Sequence, residues 1–199
     1  MKLIIIPGAY SSRTSWVYFE SDIPESIEKI FLAYNPENPL EEIIKNFEKT
    51  IDSLNEDVIL VGHSLGGIIA LNLAHRCKNI KKVITIAAPY GGILISRWMV
   101  YISMFLTPFN NLWMNTHPEN KLITHLYNKN PKIPALIYTV ETQNSTMWLE
   151  PSDGIVTVSS QKALGTASNI TYKNIYGTHA DAMLSPEFIA DINMILASK

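Results

Sequence analysis

The segment DVILVGHSLGGIIALNLAHRC, Asp57 to Cys77, decides how this chain folds. Its opening, DVILVG (57–62), is an apolar run that reads as a strand, and LGGIIALNLAHRC (65–77) reads as a helix, apolar nearly all round and hence buried. Between them Ser64 stands at the tip of a turn, with Gly62 and Gly66 two residues to either side. So tight a strand-to-helix turn strains the backbone of its apex residue and lifts that side chain above the sheet edge. Gly62 and Gly66 leave room where the backbone nearly touches itself, and Gly67 lets the helix lie close to neighbouring strands. The helix starting at Leu65 aims its N–H groups and positive dipole end at whatever is bonded to Ser64, which suits an oxyanion.

The same alternation repeats outward from this segment. KLIII (2–6), KIFLAY (29–34), KKVITIAA (81–88), PALIYTV (134–140) and NITYKNIY (169–176) read as five more strands. LEEIIKNFEKTIDSL (40–54) places Ile43, Ile44, Phe47, Ile51 and Leu54 at helical spacing, with acids on the other face. A last helix spans SPEFIADINMILASK (185–199), with Ser185 at its N-cap and Pro186 in its first turn. Strands apolar on both faces and separated by helices imply a parallel sheet covered on both sides. The expected fold is α/β and doubly wound, with a mainly parallel sheet of about six strands. Ligands bind such sheets at the carboxyl ends of the strands, so chemistry is sought in the loops after residues 6, 62, 88, 140 and 176.

Composition narrows the function. The 199 residues suffice for one domain with a sizeable core, and 47% hydrophobic with 17% charged residues suits a globular protein. A net charge of −2 and the lack of any Lys/Arg-rich run argue against nucleic acid or an anionic membrane surface as partner. One cysteine, Cys77, excludes an internal disulfide and reads as a small residue packed near a helix end. In MKLIIIPGAY (1–10) the apolar stretch Leu3 to Ile6 is too short for a signal peptide and is stopped by Pro7-Gly8, so a cytoplasmic chain is expected. The Asn-x-Ser/Thr matches at Asn144 and Asn169 carry weight only in a secreted protein. No His/Cys cluster has metal-ligand spacing, and neither a metal nor an organic cofactor is expected.

A serine hydroxyl is a poor nucleophile at neutral pH; it needs a base, and the base needs an orienting carboxylate. Of the five histidines, His63 cannot reach back to its neighbour's hydroxyl, His75 lies in the buried helix, and His117 and His125 have no strand to hold them. His179, in IYGTHADAML (175–184), follows the sixth strand at its carboxyl end and is the candidate base. A serine elbow of this type takes its partners in the chain order Ser, acid, His, which leaves Glu119, Glu141, Glu150 and Asp153. Asp153, in the turn PSDGIV (151–156) after the fifth strand, is the first candidate and Glu141 the reserve. The oxyanion donors are expected to be the N–H of Leu65 and, from the loop IIIPGAYSS (4–12), that of Ala9, with Tyr10 as the alternative; the loop also reads as a plain turn.

These residues resemble the α/β-hydrolase superfamily, more narrowly its small lipase- and esterase-like members. VGHSLGG (61–67) is similar to the lipase-type elbow with His before the nucleophile. ITIAAPYGG (84–92) resembles the family's strand and Pro-x-Gly-Gly turn, and SDGIV (152–156) the acid loop of compact lipases and related acyl-remodelling hydrolases. The likeness runs from residue 2 to about 195, apart from an insertion at residues 93–130. Two departures stand out: Pro7-Gly8 replaces the usual His-Gly, and the sheet begins at what would be the family's third strand. The resemblance implies a serine hydrolase that cleaves carboxylic esters through an acyl-enzyme, with Ser64, Asp153 and His179 as its triad.

One segment stands apart. ILISRWMVYISMFLTPFNNLWMN (93–115) is strongly apolar, yet the uncharged run between Arg97 and Pro108 is far too short to span a membrane. Hydrolases of this fold carry a cap here, so residues 91–130 are expected to form an apolar helical cap or lid within a single domain of residues 1–199. A helical hairpin packed as ordinary core or as a dimer interface is the plainer reading. Tyr10, His63, Trp98 and Phe105 are the expected substrate contacts, and the cap is a surface for transient contact with lipid. The expected partner is a small acyl ester or lipid substrate; oligomeric state is left open. A thioesterase, amidase or acyltransferase would share the same machinery, and a non-catalytic binding module is the rival from another class.

Overall fold

Alternate residues of a strand point to opposite faces of its sheet, and in the inner strands here both sets are largely apolar. The structure, a computed structural model, describes residues 1–93, 111–129, 131–143 and 150–198. Its strands are β1 (Lys2–Ile6), β2 (Lys29–Phe31), β3 (Val58–His63), β4 (Ile80–Ile86), β5 (Ala135–Glu141) and β6 (Ile170–Tyr176). They lie in the order β2-β1-β3-β4-β5-β6 with every pairing parallel, so the sheet is wholly rather than mainly parallel. The helices are α1 (Val17–Asp22), α2 (Leu40–Asp52), α3 (Leu65–Ala74), α4 (Asn111–Thr116), α5 (Lys121–Asn128), α6 (Val158–Gln161) and α7 (Pro186–Ala197).

On one face Ile4, Ile6, Leu60 and Val83 pack with residues of α2, α3 and α5, among them Ile44, Phe47, Ile68 and Ile123. On the other, Leu3, Ile5, Val61, Ile84 and Tyr138 meet Trp16, Phe19 and the α7 residues Phe188 and Ile192. Each fully buried aliphatic side chain contributes about 1.5–3 kcal/mol, and Leu3 to Ile6 are all at 0% exposure. That makes β1 a central anchor despite its length. The helical spacing read in α2 is realised, with Ile43, Ile44, Phe47 and Ile51 buried. α3 is buried along its whole length; its one polar side chain, Asn72, donates to the Ile68 carbonyl at 2.9 Å. Ser185 caps α7 by accepting from the Phe188 N–H.

Three features differ from the sequence reading. β2 ends at Phe31 instead of running to residue 34, because Tyr34 turns aside to donate its hydroxyl to the Pro7 carbonyl at 2.9 Å. A 3-10 turn, Arg13–Trp16, leads into α1, a pair too short to register as helical periodicity although it buries Trp16 and Phe19. The four-residue α6 is short for the same reason. Of residues 91–130, the structure describes 91–93, 111–129 and so includes α4 and α5; Trp98 and Phe105 lie outside the described residues. Asn115 ties α4 down: it is 3% exposed, accepts from Leu40 N–H at 3.1 Å and donates to the carbonyls of Pro36 and Asn38 at 3.0 and 2.9 Å. Among the described residues no helix is long and apolar enough to cross a membrane.

Of the glycines, Gly66 leaves the least room for a side chain, where α3 lies against the end of β1. A Cβ added at Gly66 would lie 2.2 Å from the Ile6 carbonyl oxygen and 2.5 Å from that of Pro7, and neither backbone atom can yield. Gly66→Ala is therefore expected to destabilise by the upper end of the roughly 1–3 kcal/mol typical of overpacking, read as a lower urea midpoint. An unchanged midpoint would mean that α3 does not need to sit this close.

Candidate active site

The elbow is built as its glycines require. Ser64 follows β3 with φ 53 and ψ −125, its N–H donates to Ile86 O at 3.0 Å, and its own carbonyl accepts from Gly67 N–H at 2.9 Å. Such a backbone costs on the order of 1–3 kcal/mol and persists only where surrounding structure imposes it. Tyr10 (φ 57) and Ala87 (φ 54) also have positive φ, so three of the four non-glycine residues in that state follow β1, β3 and β4 at one edge of the sheet; the fourth, Asn55, lies in the turn before β3.

That edge gathers the residues singled out from the sequence. Ser64 Oγ lies 2.9 Å from His179 Nε2, and His179 Nδ1 lies 2.7 Å from Asp153 Oδ2. Asp153 is 1% exposed, a costly place for a carboxylate unless it is hydrogen-bonded. Its Oδ1 accepts from the N–H groups of Ile155 and Val156 at 2.9 and 2.7 Å, so the loop around it supplies the compensation. With Nδ1–H donating to Asp153, Nε2 is left as an acceptor for the Ser64 hydroxyl. The two loops are joined a second time by His179 N–H donating to Asp153 O at 2.9 Å. Glu141 ends β5, and its carbonyl accepts from Gly177 N–H; the carboxylate on the His179 ring is that of Asp153.

His63 does something the sequence did not suggest. It is 5% exposed, and its Nε2–H donates to the backbone carbonyl of His179 at 2.9 Å, with the two rings 4.8 Å apart. Burial pushes its pKa down to about 3, and the neighbouring His179 adds to this against the opposing effect of the hydrogen bond. Its Nδ1 faces Gly8, where a Cβ would come within 2.8 Å, and Trp16 stands edge-on at 6.2 Å. The Pro7-Gly8 step thus makes room for this ring. The other histidines are elsewhere: His75 and His125 meet edge to face at 5.6 Å, and His117 Nδ1 accepts from Glu119 N–H.

A cavity of about 440 Å³ opens over Ser64, walled by Ala9, Tyr10, Leu65, Ile93, Leu112, Ile155 and Met183 among others, with His63 and His179 at its floor. Tyr10 is 62% exposed at the rim, its hydroxyl donating to Glu37. The Ala9 and Leu65 N–H groups have no acceptor among the described residues. A smaller cavity of about 210 Å³ adjoins and shares Ile93 and Ile155 as walls. Among the described residues no group of three or more His, Cys, Asp or Glu is placed to hold a metal ion. The sequence reading missed Gln161, which is 0% exposed and reaches Asp153 Oδ2 at 3.4 Å.

The depressed pKa of His63 has a consequence for stability. The unfolded chain takes up this proton near pH 6.5 and the folded chain only near 3, so the contribution is complete above pH 6.5 and is lost as pH falls. The loss is expected at up to about 1.4 kcal/mol per pH unit. His75, lowered chiefly by desolvation, acts in the same direction. Urea titrations at pH 7 and 5 should show a smaller loss for His63→Gln than for the native chain, and equal losses would contradict a neutral His63.

A sequence model of the alpha/beta hydrolase family matches residues 3–150. No curated protein matches the chain significantly in sequence. Among solved structures, it is similar to the mature lipase of Bacillus licheniformis, with a TM-score of 0.66 at 14% identity over 98% of this chain and 91% of that one. The monoacylglycerol lipase of Paleococcus ferrophilus gives 0.65 at 13% over 98% and 91%. A thioesterase from the prodiginine biosynthetic pathway of Streptomyces coelicolor gives 0.58 at 12% over 98% and 89%. At such identities the likeness speaks for the fold, while the family match runs from β1 through β5 and the elbow. This chain belongs to the alpha/beta hydrolase family.

Proposed function

We propose that this chain is a serine hydrolase that cleaves carboxylic esters through an acyl-enzyme. The observation that carries this reading is the line from Ser64 Oγ to His179 to Asp153, with its 2.9 and 2.7 Å contacts, opening into a cavity with apolar walls. Ser64 Oγ attacks the ester carbonyl carbon while His179 Nε2 takes its proton. The carbonyl oxygen becomes an oxyanion held by the N–H groups of Leu65 and Ala9, a donor worth roughly a hundred- to a thousandfold in rate. Collapse breaks the C–O bond, and His179 gives the proton to the departing alcohol. Water then attacks the acyl-enzyme with His179 again as base, the proton returns to Ser64, and the acid leaves. Asp153 stays ionised throughout, orienting the ring and stabilising the imidazolium.

Residues 91–130 are, in this reading, a cap inserted in a single domain and the part that touches a lipid surface. The support is that α4 contributes Leu112 and Thr116 to the cavity wall. Tyr10 meets the substrate at the rim, and the proposed contacts of Trp98 and Phe105 belong to the same cap. The apolar walls suit the acyl chain of a small ester or lipid. A thioester or amide would pass through the same oxyanion, so substrates of all three classes belong in the assay.

The test is covalent labelling by a fluorophosphonate probe, read by intact mass. One adduct is expected on the native chain and none on Ser64→Ala. With a p-nitrophenyl ester, kcat is expected to fall roughly a millionfold for Ser64→Ala or His179→Ala and at least roughly ten-thousandfold for Asp153→Asn. A native chain that takes no probe, even with detergent present, would instead favour a binding module.

A further inference from the structure

The inference concerns Gln161 and rests on the serine-hydrolase reading. β4 ends its pairing with β5 at Ile86 opposite Tyr138, while β5 runs on to Glu141. Peptide groups of a strand alternate between its two neighbours. The Tyr138 carbonyl accepts from Ala87 on the β4 side, and the Glu141 carbonyl accepts from Gly177 on the β6 side. Val140 therefore presents its N–H and C=O to a β4 that is no longer there, inside the protein at 0% exposure. The side-chain amide of Gln161 stands in for the missing strand. Its Oε1 accepts from Val140 N–H at 2.7 Å, and its Nε2 donates to Val140 O at 2.9 Å.

An amide nitrogen carries two protons. With one on Val140, the other faces Val156 O at 3.1 Å and Asp153 Oδ2 at 3.4 Å. Oδ2 is the oxygen that receives His179 Nδ1–H. Asp153 itself sits in a loop tied also by backbone bonds, among them Thr142 N–H to Ser152 O at 2.8 Å, Val158 N–H to Pro151 O at 2.9 Å and His179 N–H to Asp153 O at 2.9 Å, and by the bridge between Ser152 and Thr157. Only through Gln161 does the carboxylate reach the end of β5 by a side chain among the described residues.

We propose that Gln161 is a positioning residue for the reaction: it uses the unpaired end of β5 as a fixed point and holds the Asp153 carboxylate in line with His179. It acts through Asp153 and touches no substrate. Gln161→Glu keeps the acceptor for Val140 N–H and puts an oxygen where the donor to Asp153 Oδ2, Val140 O and Val156 O was, so the acid loses its brace and the β5 edge keeps one of its two bonds to this side chain, with a lower melting temperature expected beside the fall in kcat. The expected result is a fall in kcat of roughly ten- to a hundredfold, the scale of a small misplacement of a catalytic group, with KM unchanged. In an Asp153→Asn background the same change is expected to cost nothing further, because the group it acts through is already disabled.

Losses that multiply in the double variant, or a change confined to KM or to melting temperature, would overturn the proposal. Should Gln161→Glu fail to fold, Gln161→Met, which adds no second carboxylate, is scored in the same way. The far-downfield proton resonance of His179 Nδ1–H gives a readout that needs no turnover: it is expected to shift or broaden in either variant, and an unchanged resonance counts against the proposal. A native chain that takes no fluorophosphonate while this resonance still responds to Gln161 would sink the hydrolase reading and leave the bracing of Asp153 standing.

Discussion

The close approach of α3 to the end of β1 is the contact on which the site depends. Because Gly66 lies against the Ile6 and Pro7 carbonyls, the chain must turn from β3 into α3 within one residue, and Ser64 is forced to a positive φ. The same approach brings the first N–H groups of α3 beside the Ala9 loop that follows β1. The placement of Ser64 and that of the Leu65 and Ala9 N–H groups are thus consequences of one steric fact. The strain at Ser64 is small beside the aliphatic burial of Ile4, Ile6, Leu60 and Ile68 that presses the elements together.

The other half of the site is held by a different kind of force. Asp153 and His179 come from loops after β5 and β6, where no glycine contact sets the geometry. There the constraint is that buried polar groups must be paired. Asp153 Oδ1 takes two N–H groups from its own turn, His179 N–H closes on the Asp153 carbonyl, and the His63 ring takes the His179 carbonyl. Packing places the serine, and hydrogen-bond satisfaction places its partners.

This division explains what could be read from the sequence. The elbow was legible because its cause is local: two glycines flank Ser64 between an apolar strand and an apolar helix. The α/β class followed from apolar runs that showed no alternation, and Asp153 and His179 followed from their places after strands in chain order. His63 as a brace for His179 was not legible, since its partner lies 116 residues away and is a backbone carbonyl, which no side-chain pattern encodes. Gln161 was hidden for a similar reason: its proposed role arises because β4 stops pairing at Ile86 while β5, of equal length but offset, runs on to Glu141, a matter of register that strand propensity does not resolve. Trp16 was missed because its helical turn is only four residues long, although the ring is wholly buried.

Two histidines of like chemistry stand 4.8 Å apart, and their surroundings give them opposite tasks. His63 is enclosed by Trp16, Gly8 and the His179 backbone, and among the described residues no carboxylate is hydrogen-bonded to its ring. Burial therefore holds it neutral, and a neutral ring can donate to a carbonyl without adding positive charge beside its neighbour. His179 faces Asp153 on one side and Ser64 on the other, so in the proposed mechanism a proton taken from the serine meets a negative partner rather than a second cation. Were His63 charged as well, repulsion across 4.8 Å would oppose the imidazolium that the proposed acyl transfer requires. The desolvated His63 thus ties down the His179 main chain without adding a second positive charge beside its ring.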